Sequence, residues 1–292
     1  MHIEFHADCA INHLGNLNLL LRMVEKAKWA GVDAIKIQRK DVNTFYPPEK
    51  LGEPVKNVLP YGKTYGEYRS TFEFDMEQLS IFDAACQKAE LPWYATIQDE
   101  VGLTMFGAFD LPMYKVPSCD ARNKPFLELI HEVLPKDKLI VMSIAGSTLA
   151  DISESLEIFS GRRMYLLHCI AEYPSHDEGL RLGNIPILER EFGDDLITIG
   201  YSGHEEGIQA SLGAIDMGAK VVNRHFILVR TNLLERTECA LEPEEFKFLI
   251  DVVRKGNLEY ELPVEAFDSW FGMTREEESF LHEQEYKGLH AG

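Results

Sequence analysis

Two lysines and three serines stand in or directly after short apolar runs, where a charged side chain needs a partner. A buried ammonium group without a counter-charge is costly, and a bound anion would supply that charge. Serine hydroxyls at equivalent positions near the ends of neighbouring strands would add hydrogen bonds to the anion. These five residues could together hold a phosphate and a carboxylate: Lys36, Lys115, Ser118, Ser143 and Ser202. In the alternative, each lysine pairs with a glutamate or extends its amino group to solvent.

Two histidines stand at the ends of neighbouring predicted strands in the second half of the sequence. His204 and His225 would then lie close enough to share one metal ion. Imidazole pairs suit divalent transition metals, and few protein ligands leave open positions for water and substrate. The alternative for each histidine is a structural hydrogen bond. His168 precedes Cys169 in an apolar strand, so we expect it in the core.

An alternation of strand and helix must position these residues. Short apolar runs rich in β-branched or aromatic residues recur eight times, each followed by a turn and helical spacing. Strands are predicted at 3–7, 34–38, 93–96, 113–116, 139–143, 164–169, 197–201 and 221–226. The clearest helices are predicted at 17–30, 76–89, 124–134, 149–159, 207–217 and 243–254. Since no GxGxxG follows the first strand, the order favours an α/β fold of the (β/α)8 TIM barrel type over an open doubly wound sheet.

Two regions interrupt this rhythm. Residues 42–74 are too long and too aromatic for a plain connection, and we interpret them as a long loop excursion after strand 2, beside the barrel mouth. Residues 259–292 are too few for another domain. The sequence therefore predicts a single barrel domain at 1–258 and a short C-terminal tail at 259–292 that packs on or near the barrel.

Composition limits the class of protein. The chain has 292 residues, 45% of them hydrophobic, and a formal net charge of -19, which disfavours nucleic acid and anionic membranes as partners. The five cysteines are scattered and form no CxxC pair, so a disulfide framework or a zinc cluster is not expected. We find no signal peptide and no apolar segment of membrane-spanning length. A cytoplasmic protein is the expectation.

The active site of such a barrel lies at the C-terminal ends of its strands. Polar residues follow every predicted strand, which predicts a site lined from all sides. The candidates at these ends are Asp8, Asn12, Lys36, Gln38, Thr96, Lys115, Ser118, Ser143, Tyr173, Ser202, His204 and His225.

Several short motifs resemble the catalytic barrel of the sialic acid synthase family, which includes the legionaminic and pseudaminic acid synthases. The resemblance covers about residues 3–256, and its motifs keep the family's order and spacing. They are Ala10 to Gly15, Asp33 to Gln38, Thr64 to Glu67, Tyr114 to Ser118, Leu167 to Cys169 with Glu172 to Pro174, Gly200 to His204, His225 with Phe226, and Leu241 to Pro243.

The resemblance implies that phosphoenolpyruvate offers its C3 to an aldose-type aldehyde at a divalent metal ion, with loss of phosphate. The metal would be Mn²⁺, with Mg²⁺ or Co²⁺ as alternatives, bound by His204 and His225. Asp8 stands where the family has a glutamate near the metal. The implied catalytic residues are Asp8, Lys36, Lys115 and Tyr173. The implied substrate-binding residues are Asn12, Gln38, Thr96, Ser118, Ser143, Ser202 and Arg236.

The departures from the family pattern concern the acceptor. Gly203 and Arg236 stand where the family has aspartates, and Ala171 where it has an asparagine. We do not recognise the C-terminal antifreeze-like domain, which lends an arginine to the neighbouring subunit's site. We therefore expect an anionic acceptor other than N-acetylmannosamine, bound by Arg236 or Arg230 of the same chain. Whether the chain forms a homodimer is left open. The alternatives are a related lyase or aldolase acting on a keto acid, and a non-catalytic anion-binding barrel.

Overall fold

Eight parallel strands close into a barrel in the computed structural model of the protein, which describes residues 2–55, 61–231 and 237–285. Each strand pairs with the next along the chain, and the last pairs with the first. The strands are β1 (Glu4–Asp8), β2 (Ala34–Arg39), β3 (Trp93–Ile97), β4 (Met113–Val116), β5 (Leu139–Ser143), β6 (Met164–His168), β7 (Ile197–Gly203) and β8 (Val221–His225). The predicted (β/α)8 barrel is confirmed, and each predicted strand agrees with an observed one to within two residues at either end.

Helices follow the strands and cover the outside of the barrel. Those in the described ranges are α1 (Leu17–Ala30), α2 (Val42–Phe45), α3 (Pro48–Leu51), α4 (Tyr65–Ser70), α5 (Met76–Lys88), α6 (Glu100–Phe106), α7 (Lys124–Val133), α8 (Leu149–Ile158), α9 (Asn184–Phe192), α10 (Gln209–Asp216), α11 (Pro243–Arg254) and α12 (Arg275–Gln284). All six predicted helices occur, whereas α6 and α9 were not predicted. Within the described residues, none of these helices has the length and apolar character needed to cross a membrane.

The ends of α1 show why its sequence folds locally as a helix. The Asn16 side chain accepts hydrogen bonds from the backbone N–H groups of Asn18 and Leu19 and so caps the first turn. Gly31 ends the helix with a φ of 89°, a left-handed conformation that favours glycine. The apolar face between these caps packs against the barrel, so α1 holds the start of β2 in place.

The inside of the barrel has an apolar layer and a polar layer below the site. The apolar layer is formed by Ala34, Tyr94, Leu139, Val141, Leu167 and Val221. His6 Nδ1 lies 3.0 Å from the Tyr94 hydroxyl, which in turn donates to Asn223 Oδ1 at 3.3 Å. Asn223 Nδ2 donates to Ser202 Oγ at 3.1 Å. A continuous hydrogen-bonded chain therefore connects the bottom of the barrel to a serine of the site.

The excursion after β2 is not a plain loop. It contains the short helices α2, α3 and α4, which the sequence interpretation missed. A capping box at the N-terminus of α4 uses only neighbouring residues: the Thr64 side chain accepts a hydrogen bond from the Glu67 backbone N–H, and the Glu67 carboxylate accepts one from the Thr64 backbone N–H. The aromatic residues of the excursion pack on one another, as Tyr46 and Tyr65 do at 5.1 Å between ring centroids. The excursion therefore forms a folded wall beside the barrel mouth.

A segment beyond residue 258 returns to the barrel mouth as α12. Glu277 is fully buried; it accepts a hydrogen bond from the Ala171 backbone N–H at 3.1 Å and forms an ion pair with Arg181 at 3.2 Å. The Arg181 guanidinium also lies 3.4 Å from the ring centroid of Trp270. Gly146, after β5, has no side chain, and a Cβ there would lie 2.7 Å from Leu281 of α12. The proposed boundary at residue 258 itself remains a prediction.

Candidate active site

A cavity of about 420 Å³ opens at the C-terminal ends of the strands. This volume lies in the range of small-molecule sites. Twelve of the thirteen predicted site residues line it, and the thirteenth, Arg236, lies outside the described residues. The twelve are Asp8, Asn12, Lys36, Gln38, Thr96, Lys115, Ser118, Ser143, Tyr173, Ser202, His204 and His225.

Asp8 and Lys36 form a buried ion pair at the centre of the cavity. In the barrel register Asp8 stands opposite Lys36 on one side and His225 on the other. Lys36 Nζ lies 2.7 Å from Asp8 Oδ2 and donates to Thr96 Oγ1 at 2.7 Å. Burial alone would raise the pKa of the Asp8 carboxyl, but the positive charges of Lys36 and its neighbours outweigh burial and lower it. Asp8 is therefore ionised and neutralises Lys36.

Lys115 differs from Lys36 because it has no carboxylate partner. Its side chain is buried, and within the described parts of the chain it forms neither an ion pair nor a hydrogen bond. Burial, reinforced by repulsion from Lys36, lowers the pKa of Lys115 to about 8. The sequence interpretation treated the two lysines as equivalent. Asp8, Lys36 and Lys115 form the inner group of the cavity. Since Asp8 neutralises Lys36, the excess positive charge of this inner group comes from Lys115.

The three predicted serines have different hydrogen-bonding states. Ser118 Oγ accepts from the Ala145 backbone N–H at 3.1 Å, and Ser202 Oγ accepts from Asn223. Ser143 Oγ is buried and has no hydrogen-bond partner within the described residues. A buried hydroxyl without a partner is costly, so Ser143 is suited to donate to a ligand oxygen.

Asn12 and Gln38 line the cavity next to this cationic centre. Asn12 Nδ2 donates to the carbonyl oxygen of Phe226 at 2.9 Å, which ties the loop after β1 to the end of β8. Gln38 stands opposite Thr96 in the barrel register, two residues beyond Lys36 on β2. The cavity therefore has uncharged polar groups beside its lysines.

His204 and His225 also line the cavity and face each other, with 5.3 Å between ring centroids. The His204 Nδ1 atom lies 2.6 Å from the carbonyl oxygen of Ile170; since a carbonyl only accepts, Nδ1 carries the hydrogen and Nε2 the lone pair. Burial lowers the pKa of His225 to about 4 and that of His204 well below its usual value. Tyr173 covers His204 at 4.0 Å between ring centroids. Both imidazoles are therefore neutral.

Neutral imidazoles are the form that binds metal ions, and a carbonyl behind His204 is a typical orienting contact for a ligand. The donor set is small, because the described residues contain no cluster of three or more His, Cys, Asp or Glu side chains suited to one ion. Asp8 Oδ2, the nearest carboxylate oxygen to His225, lies 4.0 Å from Nε2 and is already paired with Lys36. The residues fit a divalent ion held by two nitrogens, with its remaining positions open.

The loop after β8 carries the two arginines that were expected to bind the acceptor, Arg230 and Arg236. Arg230 does not line the cavity. It donates to the Ala240 carbonyl at 2.8 Å and pairs through both terminal nitrogens with Glu245. Arg236 lies outside the described residues, so its role stays a prediction. Among the described residues, the arginine that lines the cavity is Arg69.

Sequence reasoning missed the outer wall of the cavity. Lys40, directly after β2, and Arg69, in the excursion, line it, and α12 adds Phe280 and Gln284. Lys40 carried a usable signal, because it continues the alternation of Lys36 and Gln38. Arg69 lies only two residues beyond the motif that ends at Glu67. The position of α12 had no such signal, since contacts far along the chain decide it.

Comparisons with known proteins agree with this geometry. The NeuB family model matches residues 23–261. N-acetylneuraminate-9-phosphate synthase of Drosophila melanogaster is 31% identical over 86% of this chain and 67% of its own length. N,N'-diacetyllegionaminic acid synthase of Campylobacter jejuni is 27% identical over 85% of this chain and 75% of its own.

A solved structure adds a comparison of the fold. Sialic acid synthetase from Leptospira borgpetersenii, crystallised with citrate, superposes with a TM-score of 0.77 at 25% identity, over 87% of this chain and 84% of its own. The resemblance to the sialic acid synthases is therefore confirmed. The chain belongs to the NeuB family and is an enzyme of the type that joins phosphoenolpyruvate to a sugar through a new carbon–carbon bond.

Proposed function

We propose that this chain condenses phosphoenolpyruvate with an aldose-type aldehyde, with a divalent metal ion at His204 and His225, to give a 2-keto-3-deoxy sugar acid and phosphate. Lys115 carries the proposal, because it is a buried ammonium group without a carboxylate partner in the described structure, at the ends of the barrel strands. Such a group is costly unless an anion completes it. Phosphoenolpyruvate, with a phosphate and a carboxylate, is such an anion.

Binding of phosphoenolpyruvate falls to the inner lysines and the hydroxyls around them. Lys115 supplies an unneutralised charge, and Lys36 a second ammonium group that Asp8 and Thr96 hold in place at 2.7 Å each. Ser143 offers a hydroxyl that has no partner among the described residues, with Ser118, Ser202, Asn12 and Gln38 as further polar contacts. The fixed charges stabilise the phosphate as it leaves, in a mouth shielded from bulk water.

The metal ion would be held by His204 and His225 and would polarise the aldehyde carbonyl as a Lewis acid. The family resemblance implies manganese, with magnesium or cobalt as alternatives, and oxygen atoms of water and substrate would fill the positions that the two imidazoles leave open. The Ile170 carbonyl fixes the tautomer of His204, and the Tyr173 ring covers its imidazole. These residues orient the site whichever divalent ion it takes.

The reaction forms one carbon–carbon bond and breaks one carbon–oxygen bond. C3 of phosphoenolpyruvate attacks the aldehyde carbon, and the aldehyde oxygen takes up a proton and becomes a hydroxyl. A water oxygen adds to C2, and the bond between C2 and the bridging oxygen then breaks with release of inorganic phosphate. Asp8, beside Lys36 and His225, lies where it can hold that water.

Phosphate release tests this proposal. Wild-type protein with manganese and phosphoenolpyruvate should release phosphate only when an aldose is present. Replacing Lys115 by Met should weaken phosphoenolpyruvate binding by about 2–5 kcal/mol, as for one truncated partner of a buried charge pair. Lys124, an exposed lysine that pairs with Glu154 at 2.7 Å and does not line the cavity, provides the matched control as Lys124→Met.

Three outcomes distinguish the alternatives. Phosphate release that needs an aldose supports the synthase. Turnover of a keto acid without phosphoenolpyruvate would indicate a lyase or aldolase. Tight binding of phosphoenolpyruvate without turnover of either would indicate a non-catalytic anion-binding barrel, and equal binding by wild type and Lys115→Met would remove Lys115 from the site.

A cytoplasmic setting, a barrel at 1–258 with a tail at 259–292, and a homodimer belong to the same proposal. All five cysteines are buried and free, which suits a reducing compartment. The contacts of Glu277 with Ala171 and Arg181 support a tail that folds onto the barrel. Sedimentation equilibrium of the full chain measures the oligomeric state.

A further inference from the structure

A second cationic group lines the outer end of the cavity. Lys40 follows Lys36 and Gln38 at alternate positions and is 4% exposed. Its Nζ atom donates to Gln284 Oε1 at 2.8 Å and to the Tyr46 hydroxyl at 3.2 Å, and it lies 3.9 Å from the centroid of the Phe45 ring. All of these partners are uncharged. In the described parts of the chain, Lys40 forms no ion pair.

Arg69 brings a further positive charge to the same wall. Its Nε atom is buried and has no hydrogen-bond partner among the described residues. Its nearest carboxylate is Glu73, at 3.7 Å from Nη2, and the other oxygen of Glu73 accepts from the backbone N–H of Lys40 at 2.8 Å. The Glu73 carboxylate therefore contacts the Arg69 guanidinium and the backbone of Lys40, and in the described structure it forms no ion pair with the Lys40 ammonium group.

Two other acids near the group form no ion pair with Lys40 in the described parts of the chain, although the charge of Asp120 attracts its ammonium group. Asp120 is buried and accepts from Asn123 Nδ2 at 3.0 Å, and Glu283 lines the cavity on α12 without an ion pair to Lys40 or Arg69 within the described chain. Burial, together with repulsion from Arg69, lowers the pKa of Lys40 to about 7. An anion beside Lys40 would raise this pKa again and restore the charge.

We propose that Lys40 and Arg69 form a second anion subsite, which binds a phosphate or carboxylate at the end of the acceptor away from its aldehyde. The inference rests on the proposed condensation and names the class of acceptor. Lys40 stands four residues beyond Lys36, roughly 13 Å along an extended chain, so the two cationic groups lie at different depths. The inner group would hold phosphoenolpyruvate, and the outer group the far end of the sugar.

The geometry of the outer group explains why an anion fits there. An ammonium group and a guanidinium offer several charge-assisted donors to one set of oxygens, and such hydrogen bonds are about twice as strong as neutral ones. Gln284 of α12 positions Lys40 by accepting from its Nζ atom. A neutral sugar would leave the excess charge of Lys40 and Arg69 unpaired, so it should bind more weakly than an anionic one.

Direct binding tests the subsite without turnover. Three open-chain alditols lack the aldehyde and cannot react: one neutral, one with a terminal phosphate and one with a terminal carboxylate. Each is titrated calorimetrically into full-chain protein at saturating phosphoenolpyruvate, which blocks the inner group. Wild type should bind the preferred anionic alditol at least about tenfold more tightly than the neutral one, and the two anionic compounds show which anion is preferred.

The variants locate the binding site. Lys40→Met and Arg69→Met should each reduce affinity for the anionic alditol by about tenfold or more, with affinities for the neutral alditol and phosphoenolpyruvate unchanged. Lys124→Met is the matched control and should bind as wild type, because Lys124 pairs with Glu154 at 2.7 Å and does not line the cavity. Lys40→Gln serves in place of Lys40→Met if the latter fails to fold, and retained phosphoenolpyruvate binding reports folding.

Two results would overturn the subsite: unchanged affinity for both anionic alditols in Lys40→Gln and Arg69→Met, or equal affinity of wild type for charged and neutral alditols. Failure of the condensation is recognised separately, by absence of phosphate release from phosphoenolpyruvate with every aldose. In that case, titration of Lys115→Met with the alditols still tests the outer subsite, because this variant has weaker anion binding at the inner group.

Discussion

Replacing Arg224 should destabilise the barrel more than replacing any exposed arginine. Arg224 is fully buried and forms an ion pair with buried Glu205 at 2.5 Å. It also donates to the carbonyl oxygens of Glu205 at 2.7 Å, Gly207 at 2.8 Å and Cys239 at 3.2 Å, and to Ser211 Oγ at 2.8 Å. These contacts tie β8 to the loop that follows His204, so the pair holds one side of the site.

The magnitude follows from what Arg224→Met removes. Methionine fills the space without donors, which leaves the Glu205 carboxylate buried with only neutral partners, and breaking such a pair costs about 3–5 kcal/mol. With a urea slope of about 3 kcal/mol per molar, the unfolding midpoint should fall by roughly 1 to 2 M. Arg190→Met is the matched control, because its pair with Glu191 is exposed and contributes less than about 1 kcal/mol.

A second substitution tests the cause. Arg224→Met combined with Glu205→Leu should recover part of the lost stability, because the uncompensated charge is gone. Urea unfolding followed by circular dichroism measures all four proteins. The reasoning is refuted if Arg224→Met unfolds at the same urea concentration as Arg190→Met, or if the double variant is less stable than Arg224→Met alone.

Three further predictions concern the site. The kcat/KM for phosphoenolpyruvate should fall by up to about tenfold per unit as pH rises above about 8, because Lys115 is charged below its pKa and neutral above it; a flat profile would contradict this. His204→Ala and His225→Ala should each lose bound divalent metal in elemental analysis, and full occupancy in both would rule out the pair as ligands. Glu277→Gln should lower stability by about 1–3 kcal/mol, because Arg181 loses its buried charge partner. Since Glu277 holds α12 at the outer end of the cavity, the substitution should also raise KM for the acceptor more than KM for phosphoenolpyruvate. An equal rise in both KM values would contradict a role of α12 on the acceptor side alone.

The strands could be predicted because each is a short apolar run with its polar residue at the C-terminal end. Barrel closure then places Lys36, Lys115 and His225 at one mouth, since all parallel strands end there. The helix α9 was harder to predict because Pro186 stands inside it. Proline is tolerated there because it lies in the first turn, where a backbone N–H has no acceptor within the helix.

Pairing between side chains could not be predicted from strand positions alone. The difference between Lys36 and Lys115 depends on Asp8 standing opposite Lys36 in the register. The position of α12 depends on one buried carboxylate, Glu277, which pairs with Arg181, 96 residues away in sequence. No local pattern records such contacts, because they arise only once the barrel has closed.

The contact between Arg181 and Trp270 provides an optical signal. The Arg181 guanidinium lies against the Trp270 indole on one side and pairs with Glu277 of α12 on the other. Any movement of α12 away from the mouth therefore changes the electric field at that indole. The chain has only three tryptophans, and Trp93 is buried in β3 far from α12 in sequence. With Trp29 and Trp93 replaced by Phe, the tryptophan fluorescence of the protein, followed by stopped flow, would therefore report any displacement of α12 when ligands bind.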